Sequence, residues 1–395
     1  MPLSLNHQWK KNPEIAIVKT FSGIKEALRE ALDRIGGISK YVQKGERVFV
    51  KPNLTGDREP STGAVTQPAV LQALIEIVLE QGPREVFLGD SPSWGFETER
   101  VYEITGAKKV AEETGCTLVD LDKGKNVSCI IPRSWRLPEI RVAQTVLDCD
   151  KLINVPVMKT HMQTVVSLGL KNMKGILPSK WKTKVHDLEP GEGHSGLDMG
   201  IADLHRLIQP DLTIVDATVA MEGRGPFDGD PVQMNTVIAG EDAVLVDAVS
   251  ASLMGFDPAM IPSISLCAQN DGIDLNGYHL VGLALEQVSR TFQPSPTEVY
   301  GGKNIKVVTG IVCTGCLATL NTAMHRLLKT RNIENIPPLV IGVGKNPQIS
   351  QHTERVLFVG KCAIPGQVSY AFPKMQVVQG CPPTGWKIME GVNSF

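Results

Sequence analysis

Four cysteines in the last quarter of the chain carry the strongest chemical signal: Cys313 and Cys316 in the run CTGC, Cys362 in GKC and Cys381 in GCPP. Each run directly follows a strand-like stretch, at 305–312, 355–359 and 375–378. If those strands are parallel, all four thiols leave their sheet at one edge. CTGC and CPPTGW also open into a following helix or turn, where unsatisfied backbone N–H groups favour a thiolate. Four sulfurs from three loops are the ligand set of a cubane iron-sulfur cluster or of a four-cysteine zinc site. Packing as small buried hydrophobes is the third reading. Structural zinc commonly shows two CxxC knuckles and one is present here, so the dispersed spacing and the Pro382–Pro383 pair point first to a 4Fe-4S cluster. Cys116, Cys129, Cys149 and Cys267 sit in apolar or strand-like contexts without a partner at ligand spacing and read as core.

The second signal is cationic. Residues 159–194 gather Lys159, His161, Lys171, Lys174, Lys180, Lys182, Lys184, His186 and His194 just after the apolar strand 151–157. Lys171 and Lys174 stand at helical spacing, on one face, able to meet one carboxylate or phosphate together. Lys180, Lys182 and Lys184 are spaced like ordinary surface charge, and a solvated basic loop is the plain alternative for the whole segment. His161 and His186 read either as proton carriers or as satisfied loop histidines. Lys51-Pro52-Asn53 and Asp90-Ser91-Pro92 are polar groups at strand ends, and Asp216 and Glu222 flank a Gly-rich turn. Asp198, Asp203 and Asp247 lie on expected helices, where solvated or capping roles are the default. The chain has no GxGxxG or GxxxxGK[ST] phosphate loop, no GxSxG elbow and no HExxH pair, so nucleotide-binding, serine hydrolase and zincin chemistry lack a basis.

The elements that must position these groups alternate. Strand-like runs at 14–19, 47–51 and 85–88 are separated by helical periodicity at 24–35 and at 67–80, where Pro68 is a start signal. Further on, 195–208 and 242–254 read as helices, and 212–217 and 232–239 as strands. This order predicts an α/β fold with a mainly parallel sheet and helices on both faces, whose binding crevice lies at the carboxyl ends of the strands. The alternation restarts at 304 on a smaller scale, with a helix at 317–330 and strands at 338–343, 355–359 and 375–378. The expected domains are therefore a main α/β domain over 1–300, with a division near 150–210 as an option, and a small α/β domain over 301–395 carrying the four cysteines.

With 395 residues, 42% hydrophobic and 21% charged, the chain is ordinary for a globular protein and long enough for more than one domain. Forty Lys and Arg against 42 Asp and Glu leave a net charge of −2, too little to hold nucleic acid or an anionic membrane, so any anion site must be local. No apolar leader precedes the first strand, and no apolar run reaches the roughly 20 residues needed to span a bilayer. A cytoplasmic protein with reduced thiols is expected.

Several runs together resemble the domain of unknown function 362 family: KPN (51–53), TGAVTQPAVLQALI (62–75), GDSP (89–92), INVPVMKTH (153–161), GLKNMKG (169–175), DATVAMEGRGP (216–226) and VIAGEDAVLVDAVSASLMGFDP (237–258). The resemblance covers roughly residues 45 to 275. Members of that family are often described as iron-sulfur proteins, and many carry ferredoxin-type CxxCxxCxxxC runs. Those runs are missing here, so cluster binding implied by the resemblance rests on Cys313, Cys316, Cys362 and Cys381. VMKTH, GLKNMKGILPS and His186 are also similar to the nickel-pincer lactate racemase. That likeness implies an acid/base role for His161, a cofactor-bearing role for Lys174 and a metal-ligand role for His186. Asp90 stands where the racemase has its other acid/base histidine.

The combined expectation is an iron-sulfur oxidoreductase acting on a small anionic substrate or cofactor. Lys51, Asn53, Lys159, Lys171 and His186 would line its crevice, with His161, Lys174 and Asp90 at the chemistry. A further organic or metal cofactor, a ferredoxin-like electron donor and a homo-oligomer are compatible with this reading. A lactate-racemase-like isomerase, and an electron-carrier or cluster-delivery protein, are the alternatives.

Overall fold

The computed structural model describes residues 12–93, 95–186, 188–329, 335–364 and 372–395. The segment 1–11, read above as lacking a leader, and Thr330, at the end of an expected helix, lie outside the described residues. The chain forms two compact units, Met1–Ser295 and Pro296–Phe395.

The first unit opens with β1 (Glu14–Lys19), α1 (Ile24–Arg34), β2 (Arg47–Pro52), α2 (Pro68–Leu79) and β3 (Glu85–Asp90). It continues through α3 (Thr98–Ile104), α4 (Ala107–Thr114), β4 (Thr117–Asp120), the hairpin β5 (Asn126–Ile130) and β6 (Glu139–Ala143), and α5 (Gln144–Leu147). Next come β7 (Lys151–Val155), β8 (Val157–His161), β9 (Val165–Ser167), α6 (Gly169–Asn172), a 3-10 turn at Met173–Ile176, α7 (Ser179–His186) and α8 (Gly196–Leu207). The unit ends with β10 (Leu212–Glu222), β11 (Asp230–Gly240), α9 (Ala243–Leu253), α10 (Pro262–Asp271) and β12 (His279–Gly282).

Its main sheet has the order β12-β1-β11-β10-β7-β2-β3-β4, with β8 and β9 branching from β10. From β10 to β4 all neighbours are parallel, whereas β11 is antiparallel to both β1 and β10. The architecture is thus α/β with a mainly parallel, mixed sheet. Central strands bury both faces, which explains continuous apolar runs such as Val48-Phe49-Val50. Alternate residues feed two cores. Ala16, Val18, Val48, Val50, Val86 and Leu88 pack with α1, α2 and α4 on one side. Ile15, Ile17, Phe49 and Phe87 pack with α8, α9 and α10 on the other.

The strand expected at 151–157 is interrupted. Pro156 has no N–H to donate to a ladder, and the chain changes from β7 to β8 at that residue. The Pro156 carbonyl instead accepts from Asp216 N at 2.8 Å. A second correction concerns Lys182. Residues 179–186 form a helix in which Lys182 and Val185, one turn apart, are buried, so Lys182 is not ordinary surface charge.

The second unit contains β13 (Ile305–Thr309), α11 (Thr314–Lys329), β14 (Leu339–Val343), β15 (Arg355–Val359), β16 (Lys374–Val378) and α12 (Gly385–Asn393). Its four strands lie in sequence order and every pairing is parallel. Leu320, Met324 and Leu327 of α11 share a core with Ile388 and Val392 of α12 and with Ile341, Leu357 and Val359 of the sheet. This is the small α/β domain that the restarted alternation predicts.

Candidate functional site

Parallel register brings the polar ends of three strands together. Lys51 on β2 stands opposite Asn154 on β7, and β3 beside it ends in Asp90. Lys51 is fully buried and forms an ion pair with Asp90, Nζ to Oδ1 at 2.9 Å. The other Asp90 oxygen accepts from Leu54 N at 2.6 Å. Asp90 thereby holds Lys51 and the loop after β2 in place. Gly175 is required beside them, because a Cβ there would stand 2.0 Å from Asp90 Oδ1 and 2.4 Å from Lys51 Nζ.

Three asparagines extend this network. Asn53 Nδ2 donates to Asn172 Oδ1 at 2.8 Å, and Asn172 Nδ2 donates to Asn154 Oδ1 at 2.8 Å. Lys159, also buried, donates to Asn53 Oδ1 at 2.8 Å and to the Ala64 carbonyl at 2.6 Å. Both of these oxygens are neutral, and Asp90 is an acid whose charge supports the ammonium. Asp247 fixes the start of α6 by accepting from Gly169 N and Leu170 N at 2.7 and 2.8 Å. Burial pushes the Asp247 carboxyl up to about 7, against the pull of those two N–H groups.

The segment from β8 to α7 supplies the remaining cations. Lys174 Nζ lies 2.7 Å from His186 Nε2, joining the 3-10 turn to the end of α7. Lys182 donates to the Ser91 and Pro92 carbonyls. Asp122 fastens the start of α7, accepting from Ser179 N and Ser179 Oγ, both at 2.6 Å. Lys171 and His186 keep partial exposure, which sets them at the rim. Asp198 on α8 is the nearby acid. It is buried, accepts from Ser195 Oγ, and feels the charges of both Lys171 and Lys174.

Burial governs the titration of the whole cluster, and neighbouring charges adjust it. Burial is the first cause in each of the following cases. It lowers Lys51 against the pull of Asp90, and it puts Lys159 well below the usual lysine range, assisted by Lys171 and Lys51. Lys171 and Lys182 are each brought down to about 8, partly held up by Asp198 and by Asp90 with Asp122, respectively. His161 and His186 are held well below the usual histidine value, next by surrounding lysines. Asp198 is pushed up to about 6. Positive groups outnumber the acids that act on them, an arrangement that favours a bound anion.

Of the residues named from sequence, Lys51, Asn53, Asp90, Lys159, His161, Lys171, Lys174 and His186 all fall in one cluster, joined by hydrogen bonds, an ion pair and charge interactions. Sequence reasoning missed Asn154 and Asn172, read Lys182 as ordinary surface charge, and assigned Asp198 only a solvated or capping role. The NVP and LKN contexts of the two asparagines gave no periodic signal; Asn154 lies on β7 and Asn172 ends α6, and only their hydrogen bond brings them together. Asp203 is elsewhere, buried and accepting from Trp135 N, Arg136 N and Leu137 N.

In the second unit, Cys313 follows β13, Cys362 follows β15 and Cys381 follows β16, at one end of a parallel sheet. Cys316 lies in the first turn of α11. Lys361 N donates to the Gly380 carbonyl at 2.9 Å, tying the Cys362 and Cys381 loops together. A Cβ on Gly360 would stand 3.1 Å from Cys316 Sγ, and one on Gly315 3.2 Å from Pro382 Cγ. The Cys316 thiol is pushed far up, first by its hydrogen bond with Cys313, then by burial, then by the charges of Cys313, Cys362 and Cys381. All three other thiols therefore lie within electrostatic reach of Cys316. Among the described residues, no three His, Cys, Asp or Glu side chains stand at the spacing of a single-ion site.

Among the described residues, no helix is long and apolar enough to cross a membrane. The chain is 31% identical over 239 residues to the thylakoid-associated protein sll1697 of Synechocystis sp., covering 60% of this chain and 72% of that protein. In shape it is similar to the lactate racemase apoprotein of Thermoanaerobacterium thermosaccharolyticum, with TM-score 0.41 and 10% identity over 83% of this chain and 68% of that one. A Thermotoga maritima protein gives TM-score 0.36 and 12% identity, over 87% and 75% of the two chains. A family model described as Domain of unknown function (DUF362) matches residues 48–252, the stretch from β2 to α9 that builds the lysine chamber, and the chain belongs to that family.

Proposed function

We propose that this protein is an iron-sulfur oxidoreductase of a small anion, with a 4Fe-4S cluster held by Cys313, Cys316, Cys362 and Cys381 and the anion held in the lysine chamber. The observation that supports this reading is the placement of the four cysteines, three after strands at one end of a parallel sheet and Cys316 in the first turn of α11. The other three thiols raise the proton affinity of Cys316, so it is a poor thiolate there until a cationic centre offsets their charge. When bound, such a cluster supplies single electrons.

The chain's own residues would do the rest. Lys171 brings positive charge to the anion, and the Asn53-Asn172-Asn154 chain holds Lys51 and Lys159 in place. The Lys174–His186 pair, at 2.7 Å, can hold and move one proton, with His161 and Asp90 beside it. A cytoplasmic setting would keep the thiols reduced for cluster binding. The deciding experiment is anaerobic purification followed by iron and sulfide quantification and electron paramagnetic resonance. We expect about four irons per chain and a reducible signal lost in Cys316→Ser. One tightly held zinc with little iron would sink the redox reading.

The Lys174–His186 contact favours a second reading, a non-redox isomerase that moves a proton at a carbon next to a carboxylate. Solvent hydrogen exchange into a chiral hydroxy acid without an electron donor would select it. In the carrier alternative, Lys174→Ala would weaken only a salt-sensitive association with an acidic partner.

A further inference from the structure

His161 sits where the chamber's lysines and His186 converge, yet its own hydrogen bonds are of an unexpected kind. The residue is 1% exposed. Its Nδ1 accepts from two backbone N–H groups, Gln163 N at 3.1 Å and Thr164 N at 3.2 Å. A nitrogen that faces two donors cannot itself carry a proton without losing both bonds and opposing them. The ring proton therefore resides on Nε2. That atom is buried and, among the described residues, has no hydrogen-bond partner. An orphaned buried donor is costly, so its persistence calls for a reason.

The turn that makes this arrangement is itself strained. His161 pairs with Val165 across the β8–β9 hairpin, and Val165 has φ 64°, a left-handed conformation that a β-branched residue seldom adopts. The strained turn aims two N–H groups at Nδ1. It fixes the tautomer and leaves Nε2–H as the ring's free end. The groups whose charges bear on the buried ring are Lys171, His186, Lys174 and Lys159, so His161 lies within the cationic cluster.

We infer that His161 is a fixed hydrogen-bond donor, through Nε2–H, to an unprotonated oxygen of the chamber's anion, and does not act as its proton acceptor. The ligand class follows: it offers His161 a carboxylate, phosphate or enolate oxygen bearing no hydrogen. Proton transfer then falls to Lys174 and His186. This rests on the reading of the chamber as an anion site, but not on any metal centre.

The test uses the full chain labelled with 15N-histidine, with His161→Asn to assign its signals. Long-range proton–nitrogen correlation reads which ring nitrogen carries the proton. We expect Nδ1 unprotonated and Nε2 protonated between about pH 6 and 8, and the Nε2 proton to shift when inorganic phosphate or oxalate is added. An Nδ1-protonated ring, or an imidazolium in that range, overturns the donor role. It leaves the chamber reading standing if either anion still binds by calorimetry. Failure of both anions to bind overturns the chamber reading itself, whatever the tautomer.

Asparagine keeps an oxygen for the two turn N–H groups but cannot reach as far as Nε2. His161→Asn should therefore melt near the parent temperature and bind the better of the two anions at least about tenfold more weakly. Unchanged affinity in a folded variant overturns the inference. If the variant does not fold, the tautomer measurement on the parent protein still decides.

Discussion

Lysine is a poor choice for a buried position unless its charge is used, and here several are buried side by side. Lys171 and Lys182, both near 8, remain largely charged at neutral pH but lose that charge over a range that ordinary lysines do not. Two consequences of opposite sign follow. A depressed folded-state value means that the unfolded chain binds more protons than the native one between about pH 8 and 10.5, so the stability of the ligand-free protein should rise with pH across that window. Anion affinity should fall over the same window, because the cations that attract the ligand are titrating away. Urea denaturation and phosphate calorimetry at a series of pH values read the two effects separately. If both curves move in the same direction, the lysine charges are not coupled to the ligand.

At the scale of elements, the chamber depends on one short segment crossing the ends of β2 and β3 at contact distance. Gly175 makes that approach possible. Gly175→Ala should push the 3-10 turn away from the Lys51–Asp90 pair, costing about 1–3 kcal/mol of stability and weakening phosphate binding by an order of magnitude or more. Loss of stability with unchanged phosphate affinity would mean that the turn is only packing. How much of this was legible in the sequence depends on how local the signal is. β2, α2, β3, α8 and α9 were readable because each writes its own periodicity or apolar run. The placement of Lys51, Asp90, Lys159 and Lys174 at strand ends or in a cationic run was readable for the same reason. The antiparallel insertion of β11 was not, since strand direction leaves no mark on a run such as Val237-Ile238-Ala239. Nor was the burial of Lys182, because its helix is too charged to display an apolar face, and only its contacts with Ser91 and Pro92 show which way the side chain turns. Asn154 and Asn172 escaped notice because a buried amide network is a property of register and not of spacing.

For the whole molecule, the two units have separate cores and carry different chemistry. Ile305, Leu320, Met324 and Ile388 belong to the core of the second unit, while the sheet and helices of the first bury their own residues on both faces. Ligands should therefore act on them one at a time. In calorimetric melting of the iron-loaded full chain, phosphate at 100 times its dissociation constant should stabilise one transition by about 2.7 kcal/mol. Cys316→Ser should release iron and lower the other transition by several degrees, since about 1 kcal/mol moves a domain of this size by roughly 4–8 °C. The same variant should bind phosphate as the parent does, because the chamber residues all lie in Met1–Ser295. A single transition shifted by both treatments would contradict this. It would mean that the thiol centre and the anion chamber are coupled in folding, and electron delivery would then have to be sought in that coupling rather than in two separately folded parts.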